Sequence, residues 1–221
     1  MRLTTNQDGI RTYSKDEELV DSKRNDIVEN ATHVFVKRGY HEVNMRELAE
    51  TCNMSVGSIY RYIGTKQDIL YLIIHKSVTR PDTFFEDLDK SAQQLGPVET
   101  LKGFIRAYYT SVDKEHTNTA FTYQETKSLD PESQRTIMEA AARDIDACAL
   151  ILKRGVESGV FKIDNIHLIA HTVIVAGHMW AVRWWYLRKI CTLDEYITEH
   201  TNMILNMIMP AEYKGENCHA K

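Results

Sequence analysis

Apolar residues along this 221-residue chain recur at three- and four-residue spacing, and alternating runs of β-branched residues are few, so the pattern predicts helices throughout. Asn25 to Arg38 places Ile27, Ala31, Val34 and Phe35 on one helical face, and Gly39 stops the helix. Ser14 with Glu17 forms a capping box that lets this helix start early, which leaves residues 1–13 as a loose arm carrying Arg2 and Arg11. Three short helices follow, the last from about Lys66 to Thr79 before Pro81. Gly96-Pro97 opens a helix to about His116, and Asp130-Pro131 opens a long one to Ser158, closed by Gly159. Asp164 opens an apolar helix to about Lys189, and Thr192 with Glu195 caps a last one ending at Pro210, before a frayed polar tail. About nine helices are expected: a small N-terminal bundle and a larger C-terminal one, an all-α chain without internal repeats.

Within this pattern the segment from Asn44 to Tyr62 has its own logic. Asn44 caps a short helix, with Glu47 reaching back to it from three residues on. Leu48, Ala49 and Cys52 face inward, and the small Ala49 lets the next helix cross close by. Asn53 stands where the turn needs a left-handed residue, which asparagine tolerates better than most. Ser55 caps a second helix whose Ile59 packs down, leaving Val56, Ser58, Tyr60 and Arg61 outside. Two helices joined by so short a turn form a helix-turn-helix, whose second helix enters the DNA major groove.

Composition changes this picture little. The net charge of −4 does not advertise nucleic-acid binding, but residues 1–80 carry 12 Lys and Arg against 11 Asp and Glu, whereas the remainder carries 15 against 20. The asymmetry permits an N-terminal DNA contact and no more. Cys52, Cys148, Cys191 and Cys218 lie far apart with no Cys-x-x-Cys pair, which argues against a zinc finger or disulfide framework and fits a reducing cytoplasm. The polar N-terminus lacks the apolar core of a signal peptide, and no run approaches the length of a membrane span. Cytoplasmic placement without a membrane partner is therefore expected.

Gly39-Tyr40, Arg46-Glu47-Leu48-Ala49, Ser55-x-Gly57-Ser58-Ile59-Tyr60-Arg61-Tyr62 and Lys66 together resemble the DNA-binding signature of the TetR/AcrR regulators, continuously from about Ile27 to Leu70. Departures are Val43 and Asn44 in place of Thr-Ser, Asn53 in place of the turn glycine, and Ile63 in place of phenylalanine; each keeps size or conformation. The resemblance implies an N-terminal three-helix helix-turn-helix bundle joined to a larger C-terminal helical bundle for ligand binding and dimerisation. The expected divisions are an arm or helix extension at 1–21, a DNA-binding domain at 22–65, a ligand-binding and dimerisation domain at 66–210, and a tail at 211–221.

The resemblance further implies that Val56, Ser58 and Arg61 approach base edges, while Asn44, Tyr60, Tyr62 and Lys66 hold phosphates and Thr65 caps the helix behind them. Chemistry agrees for Arg61, which can grip guanine bidentately, and for Ser58, which can donate to several bases, whereas Val56 can only touch a thymine methyl. Ser55 and Arg46 complete the candidate interface, although a solvated surface charge suits Arg46 as well. For Tyr60 and Tyr62, packing of one ring into the small core stands beside phosphate contact. Whether the arm reaches the minor groove is open.

In the C-terminal half the resemblance implies a ligand pocket, with the last two long helices, 164–189 and 192–209, forming a homodimer interface. A second resemblance, carried by Arg183-Trp184-Trp185-Tyr186, Leu193-Asp194-Glu195, Gln124-Glu125 and Leu129-Asp130-Pro131-Glu132, is to the branch that senses fatty acids or acyl-CoA esters. Tyr108, Tyr109, Phe121, Tyr123 and Trp180 then line an apolar tunnel or, read more plainly, form aromatic core; Gln124, Glu125, His171, His178 and Trp184 complete the candidate ligand set. The resulting expectation is a repressor of operator DNA released by a small hydrophobic ligand, an acyl-CoA or another. The competing class is a metal-binding helical enzyme built on His167, His171 and His178, which fall within about 40° of one helical face. No carboxylate or cysteine cluster accompanies that row, and no nucleophile elbow or phosphate-binding glycine loop is present, so neither metal nor cofactor is expected. Cys148 and Cys191 lack activating neighbours in sequence and read as buried small residues.

Overall fold

The computed structural model describes residues 4–5, 11–12, 16–81, 84, 90 and 94–210. The expected Ser14 cap, Arg2, Cys218 and the tail at 211–221 lie outside the described residues. The fold is all-α: α1 (Glu17–Arg38), α2 (Met45–Thr51), α3 (Val56–Tyr62), α4 (Lys66–Val78), α5 (Gly96–Lys114), α6 (His116–Glu125), α7 (Pro131–Glu157), α8 (Ile166–Val182), α9 (Trp184–Leu187) and α10 (Leu193–Ile208). One 3-10 turn spans Thr126–Ser128. The arm expected to be loose contains a minimal antiparallel hairpin, β1 (Thr4–Thr5) paired with β2 (Arg11–Thr12), whose second strand runs beside α3.

Backbone contacts divide the chain into two compact units, one of the residues up to Val78 with Phe121–Met138, the other of Thr79–Ala120 with the residues from Glu139 on. This division follows packing, not the functional boundaries expected above. In the first unit, α1 turns Ile27, Ala31 and Phe35 inward against Ile69, Leu70, Ile73 and Ile74 of α4. Among the described residues α1 begins at Glu17, and Asp16 caps it by accepting from the Leu19 amide at 3.1 Å. Phe121, Leu129 and Ile137 join this core, with the Phe121 ring stacked on Phe35 at 6.5 Å.

In the second unit, α5 buries Leu101, Phe104, Ile105, Tyr108 and Tyr109 against α8 and α10. The close approach of α5 to α8 depends on Gly177, where an added Cβ would meet the Tyr109 ring at 2.8 Å. Asp130 caps α7 as expected, accepting from the Ser133 hydroxyl and from the Ser133 and Glu132 amides, and these bonds, the hydroxyl's foremost, hold its carboxyl below the usual carboxylate range. Gly159, at φ +75°, ends the same helix. Two expectations need correction. The helix predicted from Asp164 is capped by Asn165, which accepts from the Leu168 amide, and its single span to Lys189 is broken at Arg183. There the chain turns, Trp184 stacks on His116 at 4.3 Å, and the Arg188 guanidinium lies 4.0 Å from the centre of the Trp184 ring. Helical periodicity is blind to this break, because Trp, Tyr and Leu all suit a continuing helix. Likewise the helix predicted to run to His116 stops at Lys114, and His116 begins α6.

Candidate functional site

Each short helix of the helix-turn-helix is closed by its own side chains. Asn44 Oδ1 accepts from the amides of Arg46 and Glu47 at 3.0 and 3.1 Å, while the Asn44 amide donates to Glu47 at 2.9 Å. Arg38 binds the other Glu47 oxygen at 2.9 Å, and the backbone bond and this cation together hold the Glu47 carboxyl down. In the turn, Asn53 adopts φ +50°, the one positive φ outside glycine among the described residues, and the Met54 amide closes back to Ala49 at 2.9 Å. Ser55 then caps α3, its hydroxyl 3.0 Å from the Ser58 amide and 2.8 Å from the Ser58 hydroxyl. Ile59 and Ile63 are fully buried, and Arg24 donates from Nε to the Tyr62 carbonyl at 3.0 Å, pinning the far end of α3 to α1. Thr65 and Asp68 close the start of α4 with reciprocal bonds of 2.9 and 3.1 Å.

The exposed face assembled this way carries Asn44, Arg46, Ser55, Gly57, Tyr60 and Arg61. Asn44 spends its side-chain oxygen and backbone amide on the cap, so its side-chain nitrogen Nδ2 is the group that can donate to a phosphate. The two tyrosines part company: Tyr60 is exposed, whereas Tyr62 packs against the core of the unit. Val56 also leans on that core, and Ser58 is half-buried with its hydroxyl engaged by Ser55. Lys66 lies with its ammonium 4.3 Å from the centre of the Tyr40 ring, where desolvation lowers its pKa. Sequence reasoning missed the Arg24 tie to α3, 38 residues away, because no local pattern announces it.

The residues expected to meet a ligand fall into different places. Tyr108, Tyr109, His178 and Trp180 come together in the second unit, with every polar tip engaged. Tyr108 shares a 2.7 Å hydrogen bond with His178, Tyr109 donates to the Val173 carbonyl at 3.0 Å, and Trp180 donates to Asp113 at 2.7 Å. Trp184 is taken up by His116 and Arg188, as described above. Phe121, Gln124 and Glu125 belong instead to the first unit, where Glu125 accepts from the Ser128 hydroxyl and Gln124 is exposed.

The histidine row divides as well. His167 and His171 are exposed, whereas His178 is turned inward, where burial foremost, with Arg80 and His171, pushes it down to about 4. Among the described residues no group of three His, Cys, Asp or Glu could hold a metal ion. Burial pushes the Cys148 thiol up to about 12, so it is no thiolate at neutral pH. Among the described residues no helix is long and apolar enough to cross a membrane.

Two family models match this chain: "Bacterial regulatory proteins, tetR family" over residues 27–71 and "Tetracyclin repressor-like, C-terminal domain" over residues 94–208. The chain is 27% identical to the HTH-type transcriptional regulator HbdR of Aromatoleum sp. (strain CIB), over 97% of this chain and 92% of that protein. The TetR family regulator PfmR of Thermus thermophilus superposes with a TM-score of 0.69 at 26% identity, over 81% of this chain and 97% of that one. AibR, solved with isovaleryl coenzyme A and operator DNA, superposes with a TM-score of 0.66 at 20% identity, over 82% and 97%. With its capped helix-turn-helix inside the first matched segment and its larger helical unit carrying most of the second, the chain belongs to the TetR family of DNA-binding transcriptional regulators and is not an enzyme.

Proposed function

We propose that this protein is a dimeric cytoplasmic repressor that grips operator DNA with α3 and lets go when a small hydrophobic ligand, such as a fatty acyl-CoA, occupies its second unit. The observation that carries the reading is the exposed face of α3 with Tyr60 and Arg61, flanked by Asn44 and Arg46 at the start of α2. Arg61 reads a base edge, Ser58 and Val56 make shorter-range base contacts, and Asn44, Tyr60 and Lys66 position the backbone. Tyr62 serves the core. In a dimer the two α3 helices meet half-sites roughly 34–36 Å apart.

Dimerisation through α8 and α10 is supported by apolar side chains left open on them: Leu168 is 60% exposed, Met203 62% and Met207 55%. Burying such residues against a second copy removes an apolar surface that a monomer rarely keeps. An acyl-CoA ligand is supported by AibR, which binds isovaleryl coenzyme A and operator DNA on the same fold. Aromatic packing around Tyr108, Tyr109 and Trp180 offers the apolar surroundings an acyl chain needs.

Fluorescence anisotropy on DNA from upstream of the protein's own gene, at two salt concentrations and with or without a long-chain acyl-CoA, tests this. Specific binding weakened by salt and released by the acyl-CoA is the expected result. Binding that ignores the acyl-CoA keeps the repressor and rejects that ligand class. Failure to bind this DNA or other promoters specifically rejects the reading.

A further inference from the structure

One cluster of charged and polar side chains in the second unit has no part in the DNA interface. Arg80 and Asp144, 64 residues apart in sequence, form an ion pair with Nε 3.2 Å from Oδ2, and their side chains are only 15% and 6% exposed. The Arg80 guanidinium lies 4.6 Å over the Tyr108 ring and 5.8 Å from that of Phe84. Tyr108 is stacked on Phe104 and hydrogen-bonded to His178. A buried ion pair of this kind is poor value for stability alone, since desolvating two charges consumes most of what their attraction returns. Arg80 reaches Asp144 through Nε, and the Tyr108 hydroxyl stands beside both side chains. A guanidinium can offer an oxyanion a two-pronged grip, which the single Nε contact to Asp144 does not make. Burial outweighs Arg80 and leaves the Asp144 carboxyl above its usual range.

The position of the pair matters as much as its chemistry. Arg80 stands two residues beyond Val78, the last residue of α4, and Asp144 lies within α7, so this contact ties the segment leaving α4 to α7.

We propose that Arg80 is the anchor for the oxyanion of an apolar ligand, and that the ligand displaces Asp144 from it. The more exposed Arg80 meets the incoming group first. Tyr108, kept protonated by burial, and the uncharged His178 supply neutral hydrogen-bonding partners beside it, while Phe84 and Phe104 receive the apolar part. Exchange of Asp144 for the ligand frees the segment leaving α4 from α7. The consequence for DNA rests on the repressor reading above; the oxyanion site itself does not. The oxyanion is either a free carboxylate or a phosphate of a coenzyme A ester.

The test uses decanoate, methyl decanoate and decanoyl-CoA as probes on the full chain, with binding read by tryptophan fluorescence and thermal shift, separately from operator anisotropy. Wild type is expected to bind an anionic probe and not the methyl ester. Decanoate binding identifies the carboxylate as the source, and binding of decanoyl-CoA alone identifies the phosphates. Arg80→Gln is expected to weaken the probe by roughly tenfold or more, the effect of losing one charged hydrogen bond, with Arg80→Lys intermediate. Asp144→Asn is expected to tighten it, because the competitor for Arg80 is gone; a merely structural ion pair would lose affinity in both directions. Should Arg80→Gln not fold, Arg80→Lys and Asp144→Asn carry the comparison. Absence of anionic-probe binding to wild type, equal binding by all variants, or weakening by Asp144→Asn overturns the proposal. Operator release by a probe that survives Arg80→Gln rejects this site and spares the repressor reading. Arg80-dependent binding with no effect on any operator supports the site and counts against that reading.

Discussion

At Gly155 there is no room for even one more carbon: a Cβ would fall 1.9 Å from the Phe161 ring, which folds back over the end of α7 while the Val160 and Phe161 amides both donate to the Gly155 carbonyl. The contact reaches the base of that ring as well as its edge, so rotation alone does not relieve it. Gly155→Ala is therefore expected to destabilise the protein by about 1–3 kcal/mol in urea denaturation, the usual cost of overpacking. His178 makes a second residue-scale prediction. Its folded pKa, near 4, lies below the 6.5 of an exposed histidine, so between those values the unfolded chain binds a proton that the native one refuses. Stability from this source is complete above pH 6.5 and is lost as pH falls towards 4, in total on the order of 3 kcal/mol. Asp144, with its raised pKa, acts in the opposite sense as pH falls, so the comparison must be with His178→Gln. Urea curves at pH 7.5 and 5 are expected to differ less for that variant than for wild type.

At the scale of the element, α3 is a seven-residue helix, too short to persist by its own propensity. It is held by the Ser55 cap, by Ile59 beneath it and by Arg24 at its end. Removing the cap in Ser55→Ala is expected to cost about 1 kcal/mol and to weaken operator binding by a similar free energy. The turn before it has a sharper dependence. Asn53→Gly, free at positive φ, is expected to leave thermal stability nearly unchanged, whereas Asn53→Val puts a β-branched residue in the left-handed region and should lower it clearly. Equal melting temperatures for the two variants would show that the φ of this turn is not what the asparagine supplies. The caps at Asn44, Ser55, Asp130 and Thr192 were legible in the sequence because a cap is a local bond between residues two or three apart. The break at Arg183 was not, since it is fixed by His116, far off along the chain.

For the whole molecule, the proposed division of labour makes two variants behave in opposite ways. Arg61→Ala is expected to abolish specific operator binding and to leave the dimer intact by light scattering. Met203→Asp, which sets a charge on the exposed apolar face of α10, is expected to yield monomers and to lose operator affinity with them, because each monomer meets only one half-site. An Arg61→Ala protein that cannot dimerise would contradict the separation of reader and interface, and a dimeric Met203→Asp protein would place the interface elsewhere.

What the sequence determined by itself was the helical class, the helix-turn-helix and the caps that frame it, because these depend on spacings of two to four residues and on the conformational habits of Asn, Ser, Gly and Pro. The rest came from the packing of distant segments. It sent Phe121 and Glu125 to one unit and Tyr108 to the other. It turned Tyr62 inward and Tyr60 out, and it split the histidine row between surface and interior. It also brought Arg80 to Asp144. Those outcomes depend on which faces meet across tens of residues of chain, and burial, the quantity that sets the charge state of His178 and the partner of Arg80, exists only once the faces have met.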